Sequence, residues 1–102
     1  MTDTRTAPAD CTTMIEVRHG VDRLDEQIVA LLAERFGYME AAARIKPNRG
    51  AVRDEDRKAD VLAKVGRTAR SVGMDPQIAQ DLYEMLIETS IAFELRRFDS
   101  TR

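Results

Sequence analysis

The fold is decided by residues 13–45, which read TMIEVRHGVDRLDEQIVALLAERFGYMEAAARI and contain no proline. Thr13 followed by Glu16 fits a capping box, so a first helix is predicted to begin at Thr13. Pro47 cannot continue the backbone hydrogen bonds, so this helix is predicted to end near Ile45. Its apolar residues recur at intervals of four and three, which is typical of a helix packed along its length against another helix. We call these positions the apolar seam: Val17, Val21, Leu24, Ile28, Leu31, Tyr38, Ala42 and Ile45.

Two further helices are predicted after a loop at residues 47–53. Three acidic residues at 54–56 favour a helix N-terminus, and apolar residues then repeat at helical spacing as far as Val72. Gly73 follows as a left-handed cap. Asp75 and Pro76 are an N-cap residue and a first-turn proline, and the third helix is predicted to reach about Phe98.

The chain is therefore predicted to be all-α, with three helices and no alternating β pattern. We expect a single helical domain over residues 13–99. Residues 1–12 are predicted to be a disordered or extended tail, and residues 100–102 a short C-terminal tail.

Composition and charge exclude several classes of protein. The 102 residues are 43% apolar, which is enough for one domain with a core. Sixteen Lys and Arg against eighteen Asp and Glu provide no bulk positive field for nucleic acid or for an anionic membrane. One Cys and one His cannot form an internal disulfide or a zinc site. No segment reads as a membrane span or a secretory signal, so a cytoplasmic protein is expected.

The length of the first helix points to a second chain. About 34 residues at 1.5 Å each make a rod of about 51 Å, whereas a compact chain of this size has a radius of gyration of about 13 Å. Because the apolar seam continues to both ends of this rod, one protomer cannot cover it. We predict a homodimer in which the first helices of two chains pack along each other.

Cations occupy positions that are expected to be apolar. Arg35 takes a place in the seam, and Lys46 lies eleven residues later at nearly the same angular position. Buried cations are costly unless they are paired, and the neighbouring acidic residues Glu34 and Glu40 lie off the seam. A bound anion would satisfy both cations. Alternatively, Arg35 extends to the surface or pairs with a carboxylate from another helix.

Weaker signals come from two more arginines and from the third helix. Arg57 extends the apolar line of the second helix backward, and Arg18 lies near the start of the first, yet each also reads as an ordinary solvated arginine. Ser90 and Glu94 lie one turn apart. Apolar neighbours would favour the neutral acid form of Glu94, which can donate a hydrogen bond, although a surface pair with Arg97 is the alternative.

Five spaced blocks between residues 14 and 98 share one family pattern: Val17-Arg18-His19-Gly20-Val21-Asp22-Arg23-Leu24-Asp25, Leu31-Leu32-Ala33-Glu34-Arg35, Lys46, Val52-Arg53-Asp54-Glu55-Asp56-Arg57 and Ile87-Glu88-Thr89-Ser90-Ile91. They resemble the all-helical (type II) chorismate mutases and their close relatives, the isochorismate-pyruvate lyases. The resemblance implies an intertwined homodimer of three-helix protomers with two active sites, each built from both chains.

The resemblance also implies a set of substrate-binding residues. Arg18, donated by the partner protomer, and Arg35 would bind substrate carboxylates, with Arg57 near the second anionic end. Lys46 would contact the ether oxygen and one carboxylate of the substrate. Three further positions match the family's polar contacts: Asp54 near the ring hydroxyl, Ser90, and Glu94, where many members carry glutamine.

The implied reaction is the rearrangement of chorismate, a small dianion, to prephenate on the route to phenylalanine and tyrosine. It needs no metal and no cofactor, because the protein holds the reactive conformer and stabilises charge on the breaking ether oxygen. Lys46 and Glu94 would be the two donors to that oxygen, and Arg35 the third catalytic residue.

Other functions stay open. Lys58 stands where many mutases carry a glutamate directed at the ring hydroxyl, and residues 8–12 and 37–42 look like the lyase branch, which converts isochorismate to salicylate and pyruvate. The block at residues 53–57 and Ser90 favour the mutase. A non-catalytic helical dimer or a helical DNA-binding dimer would share the periodicity. The first would tolerate Arg35→Leu, and the second would bind DNA with a steep salt dependence.

Overall fold

The computed structural model describes residues 4–102. It contains three α-helices, α1 (Met14–Ile45), α2 (Glu55–Ser71) and α3 (Pro76–Ser100), and 3-10 turns at Pro8–Asp10 and Arg49–Ala51. No strand occurs among residues 4–102, which confirms the predicted all-α class with three helices. None of the described helices is long and apolar enough to cross a membrane.

The predicted boundaries agree closely with the helix ends. The 3-10 turn Arg49–Ala51 lies inside the predicted loop at residues 47–53, and α3 continues two residues beyond Phe98. Of the predicted N-terminal tail, residues 1–3 lie outside the described residues, and Pro8–Asp10 form a 3-10 turn.

Local side-chain contacts explain where the helices begin. At the start of α1, Thr13 Oγ1 accepts from the Glu16 N–H at 3.2 Å, and Glu16 Oε1 accepts from the Thr13 N–H at 3.1 Å, which completes the capping box. Hydrogen bonds to this carboxylate, first of all from the Thr12 backbone, hold the pKa of Glu16 below its ordinary value. Asp54 caps α2 and Asp75 caps α3 through the side chain.

Gly73 ends the second helical segment with a positive φ of 76°. Only glycine adopts this left-handed conformation without steric cost, so the residue allows the sharp turn from α2 into α3.

The chain divides into two compact units between Phe36 and Gly37. In the first unit, Arg5 Nη1 donates to Gln27 Oε1 at 3.4 Å, and a cavity of about 180 Å³ lies between the N-terminal segment and the first turns of α1. Seam residues Val17, Val21 and Leu24 line this cavity. The seam is nevertheless largely exposed, with Leu31 at 66%.

The second unit has its own core. Ala43, Val52 and Phe98 form a buried cluster, against which Ile91 and Leu95 pack. α2 and α3 approach closely at Gly66, where an added Cβ would lie 2.8 Å from Gln80 Nε2. The same Gln80 amide donates to the Leu62 carbonyl at 3.1 Å. Glycine at position 66 therefore leaves room for the Gln80 side chain, which links the two helices through this hydrogen bond.

Candidate functional site

Lys46 and Glu94 form a partly buried ion pair in the second unit. Lys46 Nζ donates to Glu94 Oε2 at 2.7 Å and to the Val52 carbonyl at 3.4 Å. Glu94 is only 4% exposed, whereas Lys46 is half-buried. Removing one partner of such a pair leaves an uncompensated charge, so each group depends strongly on the other. The pair joins the end of α1 to the inner face of α3.

The local sequence explains where each of these two groups lies. Pro47 ends α1 and leaves Lys46 at the start of the loop. On α3 the buried residues Ile87, Ser90, Glu94 and Phe98 follow a spacing of three, four and four, so Glu94 lies on the face of α3 that packs inward. Ser90, one turn before Glu94, donates its hydroxyl to the Leu86 carbonyl at 2.7 Å.

Asp54 and Arg57 lie together at the N-terminus of α2. The Asp54 carboxylate accepts from the Arg57 backbone N–H at 3.0 Å. The Arg57 guanidinium donates to Asp60 at 2.6 Å and lies on an exposed surface. In this structure Asp54 therefore acts as a helix cap, and the side chain of Arg57 runs along its own helix.

The two remaining predicted residues lie on α1 in the first unit. Arg18 is exposed and Arg35 is half-buried. Their roles as substrate-binding arginines stay predictions, as do the roles of Lys46, Asp54, Arg57, Ser90 and Glu94.

The structure adds a partner for Lys46 that the seam of α1 does not indicate. No acidic residue of α1 shares its stretch of the seam, and the sequence favours a bound anion as a partner of Lys46. In the structure the Glu94 carboxylate of α3, 48 residues later in the chain, pairs with Lys46, and binding of a substrate anion stays a prediction. The alternative partner for Glu94 also differs from expectation, because Arg97 binds Glu40.

A cluster of charges between α2 and α3 was not anticipated from the sequence. Arg53 and Lys58 both bind Glu88, and Lys58 also binds Glu84. Hydrogen bonds from Arg53, then Lys58, lower the pKa of Glu88 to about 2, and hydrogen bonds to Glu84 and then Glu88 raise the pKa of Lys58. Residues at positions 53, 58, 84 and 88 carry no sequence signal for pairing, because the contacts depend on how two helices cross.

Comparison with known proteins gives consistent results. The family described as chorismate mutase type II matches residues 17–95, a stretch that contains every predicted site residue. An isochorismate pyruvate lyase of Pseudomonas aeruginosa is 33% identical over 95 residues, which cover 93% of this chain and 94% of the lyase. A chorismate mutase of Methanocaldococcus jannaschii is 24% identical over 90 residues, covering 87% of this chain and 91% of the mutase.

Proposed function

The chain belongs to the type II chorismate mutase family, and we propose that it is a chorismate mutase, an isomerase that rearranges chorismate to prephenate. The observation that carries the proposal is the contact between Lys46 Nζ and the buried Glu94 carboxyl group at 2.7 Å. It places two hydrogen-bonding groups side by side, which suits a reaction that needs a stabilised oxygen rather than an attacking nucleophile.

The proposed mechanism assigns positioning and electrostatic roles to the side chains. Arg35, and Arg18 of a second copy, bind the two carboxylates and hold the enolpyruvyl group over the ring, so that the carbon–carbon bond forms as the ether bond breaks. No proton, metal or cofactor is consumed. An ammonium group has three N–H donors. Lys46 uses two of them on Glu94 and Val52, so the third is available for the ether oxygen.

Glu94 takes part in this mechanism as a neutral acid. In the structure its carboxylate accepts from Lys46. Protonation gives it an O–H that donates to the same ether oxygen, and two donors then face the developing negative charge. This role makes the activity depend on the protonation of one buried carboxyl group.

A homodimer is part of the proposal. The exposed seam of α1 supports it, because Val21, Leu24, Ile28 and Leu31 form a continuous apolar line on the surface of a single chain. Contiguous exposed apolar surface of this kind marks a site of association. A second copy of α1 carries the same line and so provides a matching surface.

Isochorismate pyruvate lyase is the second candidate activity, and the 33% identity to the Pseudomonas lyase is the observation that favours it. The purified chain is incubated separately with chorismate and with isochorismate, in the presence of EDTA, and the products are separated by chromatography. Prephenate from chorismate supports the proposal, and salicylate with pyruvate from isochorismate supports the lyase. If the chain turns over neither compound, the non-catalytic helical dimer is the hypothesis that remains.

A further inference from the structure

The C-terminal turn of α1 has a gap in its backbone hydrogen bonding. Lys46 N–H donates to the Ala42 carbonyl at 2.9 Å, as in a regular helix. The next residue is Pro47, which has no N–H to donate to the carbonyl of Ala43 four residues earlier. Ala43 is only 1% exposed, so its backbone lies in the core of the second unit. A carbonyl in such surroundings needs a donor from elsewhere in the chain.

Arg102 supplies that donor. Its Nη2 atom donates to the Ala43 carbonyl at 3.3 Å and to the Lys46 carbonyl at 2.7 Å. The guanidinium carbon lies 4.1 Å from the centre of the Phe98 ring, which itself packs in the core with Ala43. One side chain therefore closes the gap left by the proline and stacks on the residue that anchors the end of α3.

We propose that Arg102 is a positioning residue for Lys46, an inference that rests on the catalytic role proposed for Lys46. Arg102 holds the Lys46 carbonyl, while Val52 and Glu94 hold its ammonium group, so the lysine is fixed at both ends. Loss of the guanidinium loosens the last turn of α1 and spreads the positions of Nζ. Transition-state stabilisation depends on placement within fractions of an ångström, so the rate of the chemical step falls.

The Arg102→Ala variant tests this proposal, and Arg97→Ala is its matched control. Arg97 lies in the last turns of α3, whereas Arg102 lies just beyond the end of that helix. Replacing Arg97 removes the same charge, and Arg97 also stacks on a phenylalanine, Phe93, at 5.8 Å, but it binds the Glu40 carboxylate rather than the backbone of α1. We expect Arg102→Ala to lower kcat about tenfold with KM changed less than about threefold, and Arg97→Ala to leave both within about twofold. A rise in KM alone would instead mark Arg102 as a substrate contact and overturn the proposal.

Arg102→Lys refines the result. A lysine keeps the positive charge but lacks the planar guanidinium that stacks on the Phe98 ring while one of its nitrogens donates to two carbonyls. We expect it to restore less than half of the lost kcat. Full recovery by Lys would show that charge alone matters and would contradict the positioning role.

A second background separates positioning from a general loss of stability. The Lys46→Gln chain lacks the ammonium group that Arg102 is proposed to position, and its residual rate is measured at high enzyme concentration. Adding Arg102→Ala to this chain should therefore not lower kcat further. An additional tenfold loss in that background would overturn the proposal, because the two effects would then be independent.

Amide hydrogen exchange gives a readout that does not need turnover. Exchange at residues 43–46 should accelerate in Arg102→Ala and stay unchanged in Arg97→Ala. Unchanged exchange in Arg102→Ala would refute the contact itself. A wild-type chain that turns over neither chorismate nor isochorismate would refute the proposed function instead, while the exchange experiment would still decide whether Arg102 holds the end of α1.

Discussion

α1 and α3 are both long helices with regularly spaced apolar residues, yet they bury these residues very differently. α3 has five buried positions, including Ile87, Glu94 and Phe98, and packs against α2. Of the 32 residues of α1, only Ala43 is buried, and it lies in the second unit. The second unit thus completes its own core within one chain, whereas the seam of α1 in the first unit presents an unsatisfied apolar surface. The difference supports the proposal that the functional molecule contains two chains.

The largest expected effect comes from placing a charge on the seam. Ile28→Glu introduces a carboxylate at a half-exposed seam position, which would be buried without a partner in a dimer. Because an uncompensated buried charge costs about 3–5 kcal/mol, we expect dissociation to monomers and loss of activity on the order of 100-fold. Light scattering and turnover measure the two effects.

Gln27→Glu is the matched control, since it adds the same charge at the neighbouring position off the seam. It should remain dimeric and active. A monomeric wild-type chain would contradict the proposed homodimer. An Ile28→Glu chain that stays dimeric and active would show that the seam of α1 is not the interface.

The next-largest effect concerns the predicted substrate-binding cations, Arg35 of the first unit and Lys46 of the second. Lys46→Ala or Arg35→Ala should each lose at least about 2 kcal/mol of transition-state stabilisation, about 30-fold in kcat/KM, in line with the loss of an oxyanion donor. Lys64→Ala is the control, because Lys64 is exposed and pairs with Asp60 within α2. Near-normal turnover in either site variant would refute its assignment.

Glu94→Gln should change the pH dependence more than the maximal rate. If Glu94 donates as a neutral acid, wild-type activity falls as pH rises and the carboxyl group loses its proton. Glutamine donates at every pH, so the profile of the variant should be flat over the same range. Glu40→Gln, which removes an exposed carboxylate bound to Arg97, should keep the wild-type profile. If the pH profile of Glu94→Gln is identical to that of wild type, the proposed role of Glu94 as a neutral hydrogen-bond donor is contradicted.

The smallest effect concerns the stability of the second unit in acid. The pKa of Glu88 is lowered from 4.5 to about 2 by hydrogen bonds from Arg53 and Lys58, so its contribution to folding is present above about pH 4.5 and is lost as pH falls towards 2. Glu88→Gln should therefore lose less stability than wild type between pH 4.5 and pH 2. Chemical denaturation of both chains measures the free energy of unfolding across that range. If this free energy changes with pH equally in the two chains, the role of Glu88 is contradicted.

Much of the secondary structure follows from local sequence. Thr13 and Glu16 cap each other, Pro47 ends α1, Gly73 turns the chain, and Asp75 precedes Pro76 at the start of α3. Each of these effects acts within four residues, so each can be read without knowledge of the fold. The helical spacing of the apolar residues predicted an all-α chain in the same way, and the family match over residues 17–95 agrees with it.

The tertiary structure decided which charged groups meet. The family resemblance placed Lys46 and Glu94 at one ether oxygen, but nothing local in the sequence showed that the two side chains form an ion pair across 48 residues. The contact of Arg102 with the Ala43 carbonyl, 59 residues away, could not be predicted from the sequence either, because every residue has a backbone carbonyl and none is marked as an acceptor. Helix ends depend on neighbours along the chain, whereas ion pairs and carbonyl contacts depend on how whole helices pack, and that packing is settled only when the core forms.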